Sequence, residues 1–273
     1  MSGLAKMKQP GCPALCAAKQ AVRKRRDSRN PLVRLGVSIL YALWKGAQSV
    51  FRFCTDANYR SILLLRLTKG GKIHQTTPTT GMDRYPAIFS ACRDYFADRP
   101  DLKILSFGCS TGEEVLTLRK YFPHAHIIGA DVNRRSLAAC RRLPVDERVR
   151  FVYSSPKQIS ENGPYDAIFC MAVFQRTPQL VTAKGMESLH KIYPFERFER
   201  QVTELDGLLN PQGLLVVHYS QYSLEDTAVS FQYKALGQYD QEDYKASVFD
   251  RNSRLVKSPP SRNSVFIKQG QDT

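Results

Sequence analysis

This chain lacks any stretch long and apolar enough to span a membrane. Its most apolar part, Pro31 to Phe53, is interrupted by Arg34, Lys45 and Arg52, and only ten residues separate the first two, against the ~20 that a spanning helix needs. The stretch also starts too late, and without a small-residue cleavage pattern on its flanks, to read as a secretory signal. Paired C-x-x-C spacing is missing as well. The seven cysteines, at positions 12, 16, 54, 92, 109, 140 and 170, are odd in number and fall partly on apolar helix or strand positions, which points to a reducing compartment rather than a disulfide framework. Cys12 and Cys16 form C-x3-C with no second ligand pair behind them, so no zinc or other metal site is expected. Acids are scarce at one end: residues 1–55 hold eleven Lys/Arg and one acid, Asp27, a balance of +10, while the remainder holds 29 Lys/Arg against 24 acids, or +5. Most of the excess charge therefore belongs to the leader. No internal repeat is visible. A length of 273 residues, 42% of them hydrophobic, suffices for one large domain with an appendage and not for two complete ones.

Residues 1–30 carry Pro10, Gly11, Pro13 and the cluster Arg23-Lys-Arg-Arg26 with few large apolar side chains, so they are expected to form a basic leader, disordered or loosely helical, without a core. Residues 31–98 read as a helical N-terminal extension. Three roles stay open for its first helix: a cover packed on the main domain, a helix lying on an anionic membrane surface, or an organelle-targeting leader if the source is eukaryotic. A basic run such as Arg23–Arg26 is most simply a solvated charge cluster, although residues 1–55 also suit a nucleic-acid partner. The expected location is cytoplasmic, with membrane association confined to the surface. Further along, Ser61–Leu67 is short and apolar, Gly70-Gly71 breaks it, and Thr76–Thr80 is a polar linker. Then Ile88, Cys92, Tyr95 and Phe96 fall at helical spacing.

Residues 99–273 alternate as a doubly wound, mostly parallel α/β sheet should. Strands are expected at Lys103–Phe107, His126–Asp131, Val149–Tyr153, Asp166–Met171 and Gly213–Tyr219, with helices over about Thr111–Tyr121, Arg134–Arg142 and Phe195–Leu209. Leu224–Leu236 reads as helical, and Lys245–Asp250 with Ser264–Lys268 as a last strand pair. At the end of the first strand stands Gly108-Cys-Ser-Thr-Gly112-Glu-Glu114, and nineteen residues after Gly112 comes Asp131. A strand breaking into a Gly-containing turn that opens a helix, followed by a strand ending in an acid, forms the nucleoside-binding edge of such a sheet. The dinucleotide pattern G-x-G-x-x-G fails here, because its positions are Gly108, Ser110 and Glu113. A G-x-G-x-G turn of the type that binds S-adenosylmethionine fits at Gly108 and Gly112, with Ser110 between them, since that ligand brings no phosphate for a Ser to crowd.

With Tyr165-Asp-Ala-Ile-Phe-Cys-Met-Ala-Val-Phe174 added, the chain resembles the class I S-adenosylmethionine-dependent methyltransferases over roughly residues 80–220. In motif it is nearest the chemotaxis-receptor methyltransferase branch, which has a Gly-Cys-Ser-Thr-Gly-Glu-Glu turn. The resemblance implies a transferase with a Rossmann-like methyltransferase fold, a seven-stranded sheet closed by an antiparallel pair, S-adenosyl-L-methionine as cofactor and an unidentified methyl acceptor. Two departures stand out. Ser106 replaces the acid that many class I enzymes place two residues before the first Gly, and no β insertion for gripping a receptor tail is seen.

Ligands in open α/β sheets bind outside the carboxyl ends of the strands, which selects the site candidates and sets aside Asp166 as structural. Asp131 is expected to accept the ribose hydroxyls, with helix N-capping as the plainer role, one that Asn133 could fill equally. The resemblance adds Arg84, Gly108, Cys109, Ser110, Gly112, Glu113, Val132, Ser154, Cys170 and Met171 as cofactor contacts, with Glu113 or Glu114 meeting the ammonium group and Arg84 reaching in from the Thr80–Arg84 element. Phe174, Tyr193, Tyr219 and Tyr222 are candidates for walling an acceptor pocket, or else core. Methyl transfer proceeds largely by alignment; if the acceptor must lose a proton, His218 and Tyr219 are the catalytic candidates. Competing readings are a non-catalytic module that keeps the cofactor fold, acting at a membrane surface or nucleic acid, and an NAD-dependent reductase.

Overall fold

The computed structural model describes residues 30–69, 73–75, 80–97, 99–241 and 243–270. Residues 1–29 of the expected leader, the Gly70-Gly71 break and residues 76–79 of the linker lie outside them. The chain divides into two compact units, Met1–Arg60 and Ser61–Thr273.

In the first unit, helix α1 (Pro31–Thr55) starts where Asn30 Oδ1 accepts the Leu32 N–H and Pro31 supplies a preset φ. It ends at Asp56, whose carboxylate accepts the N–H groups of Asn58 and Tyr59, each at 2.9 Å, and so caps α2 (Ala57–Lys69). Arg60 donates to the Phe53 carbonyl at 3.0 Å, and Arg52 lies over the Tyr59 ring. No side chain of α1 is buried. Among the described residues no helix is long and apolar enough to cross a membrane.

The second unit holds a seven-stranded sheet in the order β3-β2-β1-β4-β5-β7-β6. Strands β1 (Lys103–Phe107), β2 (His126–Asp131), β3 (Val149–Tyr153), β4 (Tyr165–Met171) and β5 (Leu209–His218) are parallel, and β7 (Val265–Lys268) runs antiparallel to both β5 and β6 (Tyr233–Ala235). Alternation along the strands sends side chains to two cores. Leu105, Ile168, Cys170, Leu215 and Val217 pack on one face with Phe198 and Val202 of α8 (Phe195–Asp206). Ile104, Phe169, Met171, Leu214 and Val216 pack on the other, against α3 (Pro86–Phe96) and α4 (Glu113–Tyr121). Helix α4 lies so close to β2 that a Cβ on Gly129 would come within 2.9 Å of Val115 Cγ2 and 2.7 Å of the Phe151 ring. Only glycine leaves room there. Asp166 accepts the Lys103 N–H at 2.9 Å and the Asn210 amide at 3.1 Å at the far edge of the sheet, a structural role.

The last strand pair departs from expectation. Leu224–Leu236 is not a continuous helix but two short 3-10 turns, Leu224–Asp226 and Ser230–Gln232, followed by β6. Residues 245–250 form no strand; Phe249 makes a single bridge to Leu255. The reason is a contact far apart in sequence: Asp206, at the end of α8, accepts the Tyr233 hydroxyl at 2.7 Å and pairs with Lys268 at 3.1 Å, which fastens β6 and β7 together. Three short helices follow the parallel strands, α5 (Arg134–Cys140), α6 (Pro156–Asn162) and α7 (Pro178–Ala183). The last two were not foreseen.

Candidate functional site

Past β1 the chain bends through three left-handed positions, Gly108 (φ 82°), Ser110 (φ 51°) and Gly112 (φ 97°). A Cβ on Gly108 would stand 2.6 Å from Val173 Cγ2, and one on Gly112 would stand 2.5 Å from Leu143 Cδ1, so both the backbone hand and the space call for glycine. The turn is bound to β2: Gly108 N and Cys109 N donate to the Ala130 carbonyl, and Ser110 N donates to Asp131 Oδ2 at 2.9 Å. The second Asp131 oxygen accepts the Asn133 N–H at 2.6 Å. Asn133 itself caps α5 by accepting from Arg135 N, and it also accepts the Ser61 hydroxyl of α2 at 2.7 Å. Asp131 is therefore not the cap. Burial pushes its carboxyl up to about 6, although both N–H groups pull the other way.

These groups open onto a cavity of about 490 Å³. Gly108, Cys109 and Ser110 line it from the turn, Asp131 and Val132 from the end of β2. Ser154 and Met171 line it from beyond β3 and from the tip of β4, and Arg84 from the segment before α3. That segment is tied to α4, since Thr117 accepts the Asp83 N–H and Lys120 pairs with Asp83 at 2.8 Å. Of the two serines after β3, Ser155 spends its hydroxyl on the N–H of Gln158 as the cap of α6. The Ser110 hydroxyl is buried and has no hydrogen-bond partner. The Cys109 thiol is raised well above its usual value by its hydrogen bond with Cys140 and by burial, so it is no thiolate nucleophile.

Five expected contacts lie off this wall. Gly112 shapes the turn without lining the cavity. Glu113 points away and accepts the Thr111 hydroxyl at 2.7 Å. Its neighbour Glu114 does line the cavity, with its carboxylate accepting the Ser106 hydroxyl at 2.7 Å. A carboxylate from the next helix thus stands beside Ser106. Burial pushes Glu114 up to about 7, against the Ser106 hydrogen bond and the Arg84 charge. Cys170 alternates into the opposite core from Met171. His218 and Tyr219 stack on each other away from the cavity: His218 shares a hydrogen bond with Ser264 at 2.9 Å, Tyr219 donates to Asp243, and burial lowers His218 to about 4. Strand β5 turns His218 toward Tyr85 at the start of α3, 4.8 Å between ring centres. Phe174, Tyr193 and Tyr222 are fully buried core.

Two further parts of the cavity wall were not foreseen. Ile62 and Leu65 of α2, Ile73 and His74 close one side of it. Arg197, Arg200, Gln201 and Glu204 of α8 close another. His74 is buried, shares a hydrogen bond with the Tyr193 hydroxyl at 2.8 Å, and is lowered to about 4 chiefly by burial. The four polar residues of α8 stand at i, i+3, i+4 and i+7, one face of a helix whose other face is Phe195, Phe198, Val202 and Leu205. That spacing was the available signal.

Residues 104–193 match the family described as "Methyltransferase domain". Among curated proteins, the chain is 23% identical to an uncharacterized protein of Rickettsia prowazekii over 52% of this chain and 54% of that one. It is 30% identical to a trans-aconitate 2-methyltransferase of Deinococcus radiodurans over 30% of each. The chain spans about half the length of these relatives or less. Among solved structures, an S-adenosylmethionine-bound amino pentose methyltransferase of Micromonospora echinaspora is 22% identical over 50% of each chain, with a TM-score of 0.37. Five parallel strands closed by an antiparallel β7, with helices on both faces, make the Rossmann-like methyltransferase fold.

Proposed function

We propose that this chain is an S-adenosylmethionine-dependent methyltransferase acting on an acceptor yet to be identified. The observation that carries the reading is the half-buried Asp131 carboxylate, tied to the left-handed glycine turn through the Ser110 N–H and lining the cavity with it. Those groups fit the cofactor. Asp131 would accept the ribose hydroxyls, Glu114 the ammonium group of the methionine moiety, and Gly108 leaves room for backbone to approach. The cofactor supplies a methyl group on a positively charged sulfur. The protein's part is to hold and align, with Met171 and Val173 on the wall beside the glycine turn. His218 and Tyr219 lie off the wall, and an acceptor that is already ionised needs no base. A dinucleotide fits poorly, because Ser110 occupies the position where backbone must close on a pyrophosphate. The likeness to the chemotaxis-receptor branch rests on the Gly108–Glu114 turn and the Asp166–Cys170 run, and no receptor substrate is proposed from it.

Calorimetric titration tests the cofactor: S-adenosylhomocysteine should bind and NADH should not. Transfer of labelled methyl groups into a cell extract then separates an enzyme from a silent binding module. Binding of NADH, or cofactor binding without any labelled product across extracts, would overturn the respective half of the reading.

For its location, the reading favoured is α1 on an anionic lipid surface. Arg34, Lys45 and Arg52 without any acid, beside Leu40, Leu43 and Trp44, have the composition of an interfacial helix. The chain should sediment with vesicles containing phosphatidylserine and stay free of pure phosphatidylcholine. Replacing Leu40 and Trp44 by Asp should release it while leaving S-adenosylhomocysteine affinity within a few-fold. Retention of the double variant on the vesicles would sink the idea.

A further inference from the structure

The part of the cavity wall built from α8 carries two guanidinium groups. Arg197 and Arg200 stand on its wall, seven and four residues before Glu204 along the same helix face, and Glu204 is the carboxylate of that helix on the wall. Glu204 accepts the Gln201 amide at 3.1 Å. Just behind Ile73, the half-buried Arg176 donates to the Ile73 carbonyl at 3.3 Å. Its own guanidinium is made easier to discharge by burial first, then by the nearby charges of Arg66 and Arg197. His74 feels Arg197, Arg176 and Arg200 together. Neither Arg176 nor Arg200 forms an ion pair with a carboxylate among the described residues. Guanidinium groups gathered beside a cavity repel one another, and an anion between them relieves that repulsion while taking bidentate hydrogen bonds. Ile62, Leu65 and Ile73 add an apolar part to the same wall.

We infer that this part of the cavity binds an acceptor bearing a carboxylate on an apolar chain, with Arg197 and Arg200 as the counter-charges and Ile62, Leu65 and Ile73 as the wall for the chain. The inference rests on the methyltransferase reading for the word acceptor, and on the cavity alone for the ligand. His74, being neutral and fixed by Tyr193, adds a polar contact without adding charge.

The test uses the full chain with octanoate as probe, and methyl octanoate and octylamine as controls, titrated with and without S-adenosylhomocysteine. Octanoate should bind, the ester and the amine at least tenfold more weakly, and octanoate affinity should fall as salt is raised. The double variant Arg197→Gln/Arg200→Gln should lose octanoate affinity at least tenfold while holding S-adenosylhomocysteine within about threefold. Arg200→Gln alone, at an exposed position, gives the same direction if the double variant does not fold. Equal binding of acid and ester, no octanoate binding to the unaltered chain, or unchanged binding in the variants overturns the inference. Octanoate binding without any S-adenosylhomocysteine binding would leave this site standing and remove the cofactor reading instead.

Discussion

Asp131→Ala lowers the affinity for S-adenosylhomocysteine by about 10- to 100-fold, measured by calorimetry at pH 8, well above the value of about 6 to which burial raises this carboxyl. Two losses combine. The ribose hydroxyls lose a charged acceptor, worth on the order of 1–3 kcal/mol, which corresponds to about 5- to 150-fold in binding. The N–H groups of Ser110 and Asn133 also lose the oxygens that now accept them at 2.9 and 2.6 Å, so the glycine turn loosens where it must be held. Asp131→Asn separates the two: its amide oxygen can still accept one N–H, and it retains more thermal stability than the Ala variant while still losing most of the affinity. Affinity within twofold of the unaltered chain in both variants would move the nucleoside to another part of the cavity.

The parts of the fold that the sequence made legible are those decided locally. Strands β1, β2 and β3 have the expected bounds because each is a short apolar run closed by a turn or an acid, and the Gly108–Gly112 bend announces itself by residue type. Choices between adjacent residues were not legible. Cys170 and Met171 are both apolar and both near the tip of β4, and only the packing of α3 against one sheet face decides that Met171 meets the cavity. Glu113 and Glu114 sit about 100° apart in the first turn of α4, and the one that turns inward is the one that finds Ser106. The polar stripe of α8 reads as a solvated face until the cavity opposite it is seen. β6 was misplaced because its position depends on Asp206, 27 residues away from Tyr233.

Glu114→Gln should flatten the pH dependence of both stability and cofactor binding. Burial raises the Glu114 carboxyl from 4.5 to about 7, so the folded chain holds a proton that the unfolded chain has released between those values. Stability therefore falls as pH rises from about 4.5 through 7, by about 3 kcal/mol at one pKa unit per 1.36 kcal/mol, and the loss is complete above the folded value. Asp131, raised from 3.8 to about 6, adds a slope of the same sign at lower pH and leaves a remnant in the variant. Denaturant melts of the ligand-free chain at pH 5.5 and 8 read this directly: the Gln variant should match or exceed the unaltered chain at pH 8. Binding has the opposite slope. An ammonium group placed against Glu114 favours its ionised form, so S-adenosylhomocysteine should bind more tightly as pH rises from about 6 to 8. It should also release a fraction of a proton, seen as a difference in calorimetric heat between phosphate and Tris buffers. In Glu114→Gln the affinity at pH 8 drops at least tenfold and the part of the proton release due to this residue vanishes. If the variant binds as tightly and releases as many protons as before, the ammonium group lies elsewhere, and the carboxylate at Ser106 serves only to hold α4 to β1.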